Sequence, residues 1–446
     1  MHRCTGTKSG CLLSVIAMGL MGAPAAHAAH NMLTAQEIAE GWILLYDGES
    51  LFGWANHGAG KWQSKDGLLM AEEGRMGWLG TKSDFSDFVL KLQYRISGDG
   101  NSGIFFRADP KSLEPWNDGY EMQINDSDAN WPTGSLYDVT KAQHPDGKVV
   151  TGIDSWQDVE ITVEGWHVTI TLNGVEVLHE HNASKFMRGA IGVQYHDPGG
   201  MKVAFRNIKL KPLGFKSIFN GRNLDGWKVI PDHKSVYSVL PDGTLNVKNG
   251  NGQIETVGQW DDFVFQLDII SNGTHLNSGV FFRGVAGQFW NGYESQIRNE
   301  WISDVELADG TKVTGRYVDE GDQVTIKVGR RGQKKTFPKS QVKRIVHHRD
   351  QPYDFGTGGI YNRQPSRKVI PSDGEWFTKT IVASGRQISV WVNGYQTADF
   401  TDRRPLGPNA RRQCRLDAGV ISLQGHDRTT DLSFRNLKVA ALPKGK

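Results

Sequence analysis

Asn101-Ser102-Gly103-Ile104-Phe105-Phe106-Arg107, followed by Gly119-Tyr120-Glu121-Met122-Gln123-Ile124, is a stretch the chain uses twice. The second copy reads Asn277-Ser278-Gly279-Val280-Phe281-Phe282-Arg283, then Gly292-Tyr293-Glu294-Ser295-Gln296-Ile297. A core strand needs alternating apolar residues and has no use for a fixed Asn, Arg, Glu and Gln. Two copies that keep those polar residues in the same order point to a polar site on a sheet. On a strand, side chains two apart share a face, so Glu121 and Gln123 project together, as do Glu294 and Gln296. Ile124 and Ile297 then point the other way, into a core. The duller reading makes these turn residues and strand ends kept by duplication.

Working outward, the rest of the chain repeats as well. Leu51-Phe52-Gly53-Trp54 returns as Leu224-Asp225-Gly226-Trp227, a turn and tryptophan plug with a structural role. Residues 87–96 alternate, with Phe88, Leu90, Leu92, Tyr94 and Ile96 on one face, which is the pattern of a half-buried strand. Val168, Ile170 and Leu172 run into Asn173-Gly174, and Ile388, Val390 and Val392 into Asn393-Gly394, the strongest short hairpin signal. Thr34 with Glu37 three residues on predicts a capped helix ahead of the first repeat.

The repeats are 176 residues apart at Asn101 and Asn277, 173 apart at Gly119 and Gly292, and 224 apart at Thr133 and Thr357. The second copy therefore carries an insertion of some fifty residues after Ile297. Its short alternating strands predict a small SH3-like barrel over 302–348, with Lys327, Arg330, Arg331, Lys334 and Lys335 as a solvated face and His347-His348 in a solvent linker. Each repeat is too long for a propeller blade or solenoid unit and long enough to bury its own core. The expectation is all-β: two antiparallel sandwiches in tandem, over 40–212 and 213–442, with the barrel inserted in the second.

Bulk properties narrow the functional classes. A formal charge of +2 over 446 residues gives no global case for nucleic acid or an anionic membrane. Residues 1–28 read as a cleaved export signal: Arg3 and Lys8, an apolar run from Cys11 to Met21, then Ala26-His27-Ala28. No other segment is apolar for the roughly 20 residues of a membrane span. Beyond the signal only Cys414 remains, so the cores hold without an internal disulfide. These features predict a periplasmic or secreted protein.

Taken together, the opening Gly-Trp plugs, Asn-Ser-Gly-[IV]-Phe-Phe-Arg, Gly-Tyr-Glu-x-Gln-Ile, Thr-Gly-x-x-Tyr, the Asn-Gly hairpins, Gln-x-His and Phe-Arg-Asn resemble the 3-keto-disaccharide hydrolase family, also described as 3-keto-glucoside 1,2-lyase/hydratase domains. The resemblance implies a concanavalin A-like jelly roll and a carbohydrate substrate. It also implies cleavage of a 3-keto-glycoside: C2 deprotonation, β-elimination at C1, then hydration. Such chemistry needs a base for C2–H, a group for the enolate oxygen and an acid for the leaving oxygen. The candidates are Glu121 and Glu294 as base or metal ligand, and His196 and His426 as proton carriers. Arg107 and Arg283 would stabilise the enolate or bind hydroxyls. Asn101, Gln123, Tyr137, Asn277, Gln296 and Tyr361 would bind the sugar.

Duller roles stand beside these. Arg107 can pair with Glu121 inside the sandwich, and the histidines can be surface turns. A divalent metal on Glu and His would suit enolate stabilisation, although no compact ligand motif of the His-x-x-x-His type occurs and the ligands stay unknown. No cofactor is demanded, and no dinucleotide fingerprint occurs. Two other classes stay open: a non-catalytic, lectin-like carbohydrate-binding protein, and an interaction protein whose inserted barrel takes a protein partner. The second repeat is favoured as the working one, because Arg363, Arg367 and Gln424-Gly425-His426-Asp427 add polar groups near the same end.

Overall fold

The computed structural model describes residues 30–444, apart from 99, 150, 153, 197–200, 330 and 331. The proposed export signal, Arg330 and Arg331 lie outside the described residues. Thr34 caps the helix Ala35–Glu40 through the expected reciprocal bonds with Glu37, and Gly41 closes it in the left-handed region. Everything after it is strand and turn.

The first domain is a curled antiparallel sheet in the order 120–124, 102–108, 190–195, 68–81, 203–212, 88–96, 157–164, 167–172, 175–180. Its curl comes from one long strand, Leu68–Thr81. Gly77 to Gly80 pair with 192–195, while Leu69 to Ala71 pair with 203–205, so that strand belongs to both faces of a jelly roll. The second domain repeats the order but interrupts this strand, giving Leu245–Lys248 to one sheet and Gly252–Thr256 to the other. The two tandem β-sandwiches are thereby the same fold, closed once and split once.

Local chemistry accounts for the elements. Phe88–Ile96 buries every second side chain. Asn173-Gly174 and Asn393-Gly394 all have positive φ, as a two-residue hairpin turn of the primed type requires. Trp54 and Trp227 are buried, and their indole N–H groups donate to the carbonyls of Leu45 (2.6 Å) and Ile218 (2.8 Å).

The inserted segment forms a five-stranded antiparallel sheet running from Trp301 to Pro352, a little wider than expected. Its last strand, Val342–Pro352, pairs with its first, Trp301–Leu307, around a small core of Val305, Val324 and Ile326. His347 and His348 therefore sit in a strand and not in a linker. His347 Nδ1 lies 2.9 Å from Ser303 Oγ, and His348 Nε2 lies 2.9 Å from Asp304 Oδ2.

The two sandwiches share a wall. Val264, Val382 and Trp391 of the second belong to the apolar core of the first, and the Trp391 indole N–H donates to the Leu44 carbonyl at 2.8 Å. Lys82 pairs with Asp399 (2.7 Å), and Arg188 pairs with Asp262 (2.7 Å), across the same wall.

Candidate functional site

Each sandwich carries a polar pocket at equivalent strands. In the first domain a cavity of about 170 Å³ is lined by Asn101, Glu121, Gln123, Tyr137, Gln194 and His196, with Met76, Trp116 and Asp128 at its edge. In the second, about 450 Å³ is lined by Asn277, Glu294, Gln296, Tyr361, Gln424 and His426, joined by Asn251, Phe289, Trp290, Arg298 and Asp354. Ten of the twelve residues expected from sequence thus face one of two pockets. Gln194 and Gln424 join them through the Gln-x-His motif.

The repeated Asn-Ser-Gly motif is explained residue by residue. Ser102 Oγ donates to the Gln194 carbonyl and Ser278 Oγ to the Gln424 carbonyl, each at 2.7 Å, tying two strands together behind the pocket. A methyl group on Gly103 would overlap Glu121 Oε1, and one on Gly279 would overlap Glu294 Oε1. The glycines make the space in which the carboxylates lie. Tyr120, Met122 and Ile124 face the core on the opposite side, as period-2 geometry demands.

Arg107 and Arg283 are the two exceptions, and neither reaches a pocket. Both have φ of 50°, where a non-glycine residue is uncommon, at points where the ladder register shifts. The bulge directs each guanidinium into a buried bracket. Arg107 donates to Asp87 Oδ1 (2.9 Å) and to the carbonyls of Ser86 (2.9 Å) and Phe186 (3.1 Å). Arg283 repeats this with Asp262 Oδ1 (2.8 Å) and the carbonyls of Asp261 (2.6 Å) and Gly385 (2.7 Å). Their partner is the aspartate that opens the neighbouring long strand, not Glu121. The expected outcome of Arg283→Ala is a loss of about 3–5 kcal/mol in unfolding free energy, because several buried acceptors lose their donor. Denaturant titration measures it, and a change under 1 kcal/mol would refute the bracket.

The pockets differ in charge. Glu121 is buried with no cation against it, and that burial pushes its carboxyl up to about 8. Glu294 is equally buried, and burial raises it too, but Arg411 opposes the shift, with Nη2 at 2.7 Å from Glu294 Oε2. Arg411 lies over the Trp290 ring at 4.3 Å and the Phe281 ring at 5.0 Å. His426 Nδ1 lies 3.0 Å from Asp427 Oδ2, and its Nε2 faces Asn277 Nδ2 at 3.0 Å. Arg298, bonded to Glu300 (2.8 Å) and Asp354 (3.0 Å), brings the root of the insertion to the rim.

Several buried polar atoms facing these pockets have no protein partner: Asn101 Oδ1, Gln194 Oε1 and His196 Nδ1 in the first, Gln296 Oε1 and Gln424 Oε1 in the second. A buried acceptor left unpaired costs free energy, and a ligand hydroxyl group is what would satisfy it. Aromatic faces at Trp116 and Trp290 border the same spaces. With a guanidinium already on Glu294, that carboxylate is a poor place for a metal cation.

Arg411 was not anticipated from sequence. It lies in a loop absent from the first repeat: the repeats are 220 residues apart at Asn173 and Asn393 but 230 apart at Gln194 and Gln424. That ten-residue gain was the available signal.

A curated relative, the 3-keto-disaccharide hydrolase of Bacteroides thetaiotaomicron, is 28% identical over 236 residues, covering 39% of this chain and 79% of its own. Among solved structures, a candidate glycosyl hydrolase from Parabacteroides distasonis is 25% identical and aligns over 42% of this chain and all of its own, with a TM-score of 0.37. The carbohydrate-binding module CBM66 from Bacillus subtilis is 20% identical over 35% of this chain and 94% of its own, with a TM-score of 0.27. The family's sequence model matches twice, over 41–211 and 214–440, and these two segments take in nearly all of the described residues. The chain belongs to the family of 3-keto-alpha-glucoside-1,2-lyase-like domains.

Proposed function

We propose that this chain cleaves 3-keto-glycosides and that the second domain's pocket does so, while the first domain's pocket binds sugar. The observation that carries the reading is the Glu294–Arg411 pair: a buried carboxylate raised by burial and a guanidinium, side by side in one cavity with the His426–Asp427 pair.

A ketone at C3 acidifies the hydrogen on C2. Glu294, more basic than an ordinary carboxylate, takes that proton, and the electron pair moves to the C3 oxygen as an enolate. Arg411 supplies fixed positive charge beside the developing negative charge. The enolate then re-forms the ketone as C1=C2 forms and the C1–O bond breaks. His426 gives a proton to the leaving oxygen, its imidazolium stabilised by Asp427. Addition of water at C1 and return of a proton to C2 complete a net hydrolysis. Trp290 gives a sugar face something to stack on, and Gln296 and Gln424 accept from hydroxyl groups. Export guided by residues 1–28 would place the enzyme where external glycosides are met.

The test is incubation of the full chain with a 3-keto-glucoside and with the parent glucoside, following released aglycone and the unsaturated sugar. Turnover of the keto compound alone is expected, with kcat falling about a hundredfold in Arg411→Ala. Sugar binding without turnover would replace this reading with the lectin-like one, which the unpaired acceptors and Trp116 of the first pocket support on their own.

A further inference from the structure

On the outer face of the first domain, remote from both pockets, three histidines meet. His167 begins the strand His167–Leu172; His179 lies in its partner, Val175–Glu180, and His181 follows directly. The registered pair Val168–Glu180 puts His167 opposite His181 one step further along. His179, two residues from His181, projects from the same side. All three are exposed, and one ligand nitrogen from each lies within 4.8 Å of the others. His167 Nδ1 and His181 Nδ1 stand 3.3 Å apart, and the rings of His179 and His181 stack at 4.3 Å.

We propose that His167, His179 and His181 bind a divalent transition-metal ion of the zinc class, with a fourth position open to water. Metal–nitrogen bonds of about 2.0–2.1 Å at tetrahedral angles put two ligand nitrogens roughly 3.3 Å apart, which is the separation found for His167 and His181. Imidazole is a preferred ligand for zinc, copper and nickel and a poor one for calcium or magnesium. Glu176 Oε1, 3.7 Å from His179 Nδ1, adds a carboxylate beside the cluster. The His-x-His spacing also suits the location. On a strand it places two imidazoles on one face, and a third from the neighbouring strand completes a three-point site without any rearrangement of the backbone. The ion would tie the outermost strand of the sheet, Val175–Glu180, to its only neighbour.

The test is titration of the metal-stripped full chain with Zn²⁺ by calorimetry and with Cu²⁺ by electron paramagnetic resonance, comparing His167→Gln, His179→Gln and His181→Gln with the unmodified protein. The expected result is a zinc site that weakens at least about tenfold in each variant, with nitrogen coupling to Cu²⁺ that diminishes in step. His233→Gln, outside the cluster, should match the unmodified chain. Matching circular dichroism spectra would show that the exposed substitutions leave the fold intact. Unchanged zinc binding when all three histidines are replaced, or no binding by the unmodified chain, would overturn the site and leave the 3.3 Å contact as a shared proton.

Discussion

Glu294→Gln is expected to lower kcat on a 3-keto-glucoside by about a thousandfold, within the range a positioned general base contributes. Glutamine keeps the size of the side chain, fits the space left by Gly279 and can still accept from Arg411, so the pocket should persist. What it cannot do is take the C2 proton. The loss should therefore fall on kcat, with KM changed less than about threefold. The same change at Glu121 should cost less than about tenfold, since no cation holds that group ionised near neutrality. Steady-state assays of both variants decide the matter. If Glu121→Gln is the inactive one and Glu294→Gln retains turnover, the first pocket is the working site.

The second large effect concerns stability. Burial raises the Glu121 carboxyl from 4.5 to about 8, so the folded state holds a proton that the unfolded chain releases in that interval. A raised carboxyl contributes stability that is fully present below pH 4.5 and is lost as pH climbs through 8. At full ionisation the loss is on the order of 5 kcal/mol. Glu121→Gln removes the titrating group and keeps its shape. At pH 5 the variant should melt near the unmodified protein; at pH 9 it should melt higher, by on the order of 10 °C. Scanning calorimetry at pH 5, 7 and 9 reads this directly. Parallel curves for the two proteins would mean that Glu121 is not buried as an isolated carboxyl.

Much of this molecule was legible because duplication supplied an internal comparison. Glu121 and Gln123 could be placed on one face from period 2 alone, and the Asn-Gly hairpins needed only the rule that both residues take positive φ. Arg107 was misread for a physical reason. Counting by twos from Gly103 puts it on the pocket face, but its left-handed backbone breaks the alternation and turns the side chain to Asp87. Alternation is a property of regular strands, and it cannot announce its own bulges. Arg411 escaped because loops have no periodicity and the first repeat has nothing to align with it. The three-histidine cluster escaped because its members come from two strands, and proximity across a ladder depends on a register that spacing along the chain does not carry.

The wall shared by the two sandwiches has a bearing on how such a chain diverges. Once Trp391 and Val382 of one copy serve as core for the other, neither copy can be deleted without stripping its neighbour of cover. Selection then holds the contacting faces of both copies, whatever happens at the pockets. A redundant copy is kept as a scaffold, and its cavity is free to drift towards a different ligand, a narrower one or none. The contrast between an arginine-clamped glutamate in one copy and a bare, protonated one in the other is the kind of asymmetry that this arrangement permits a lineage to accumulate.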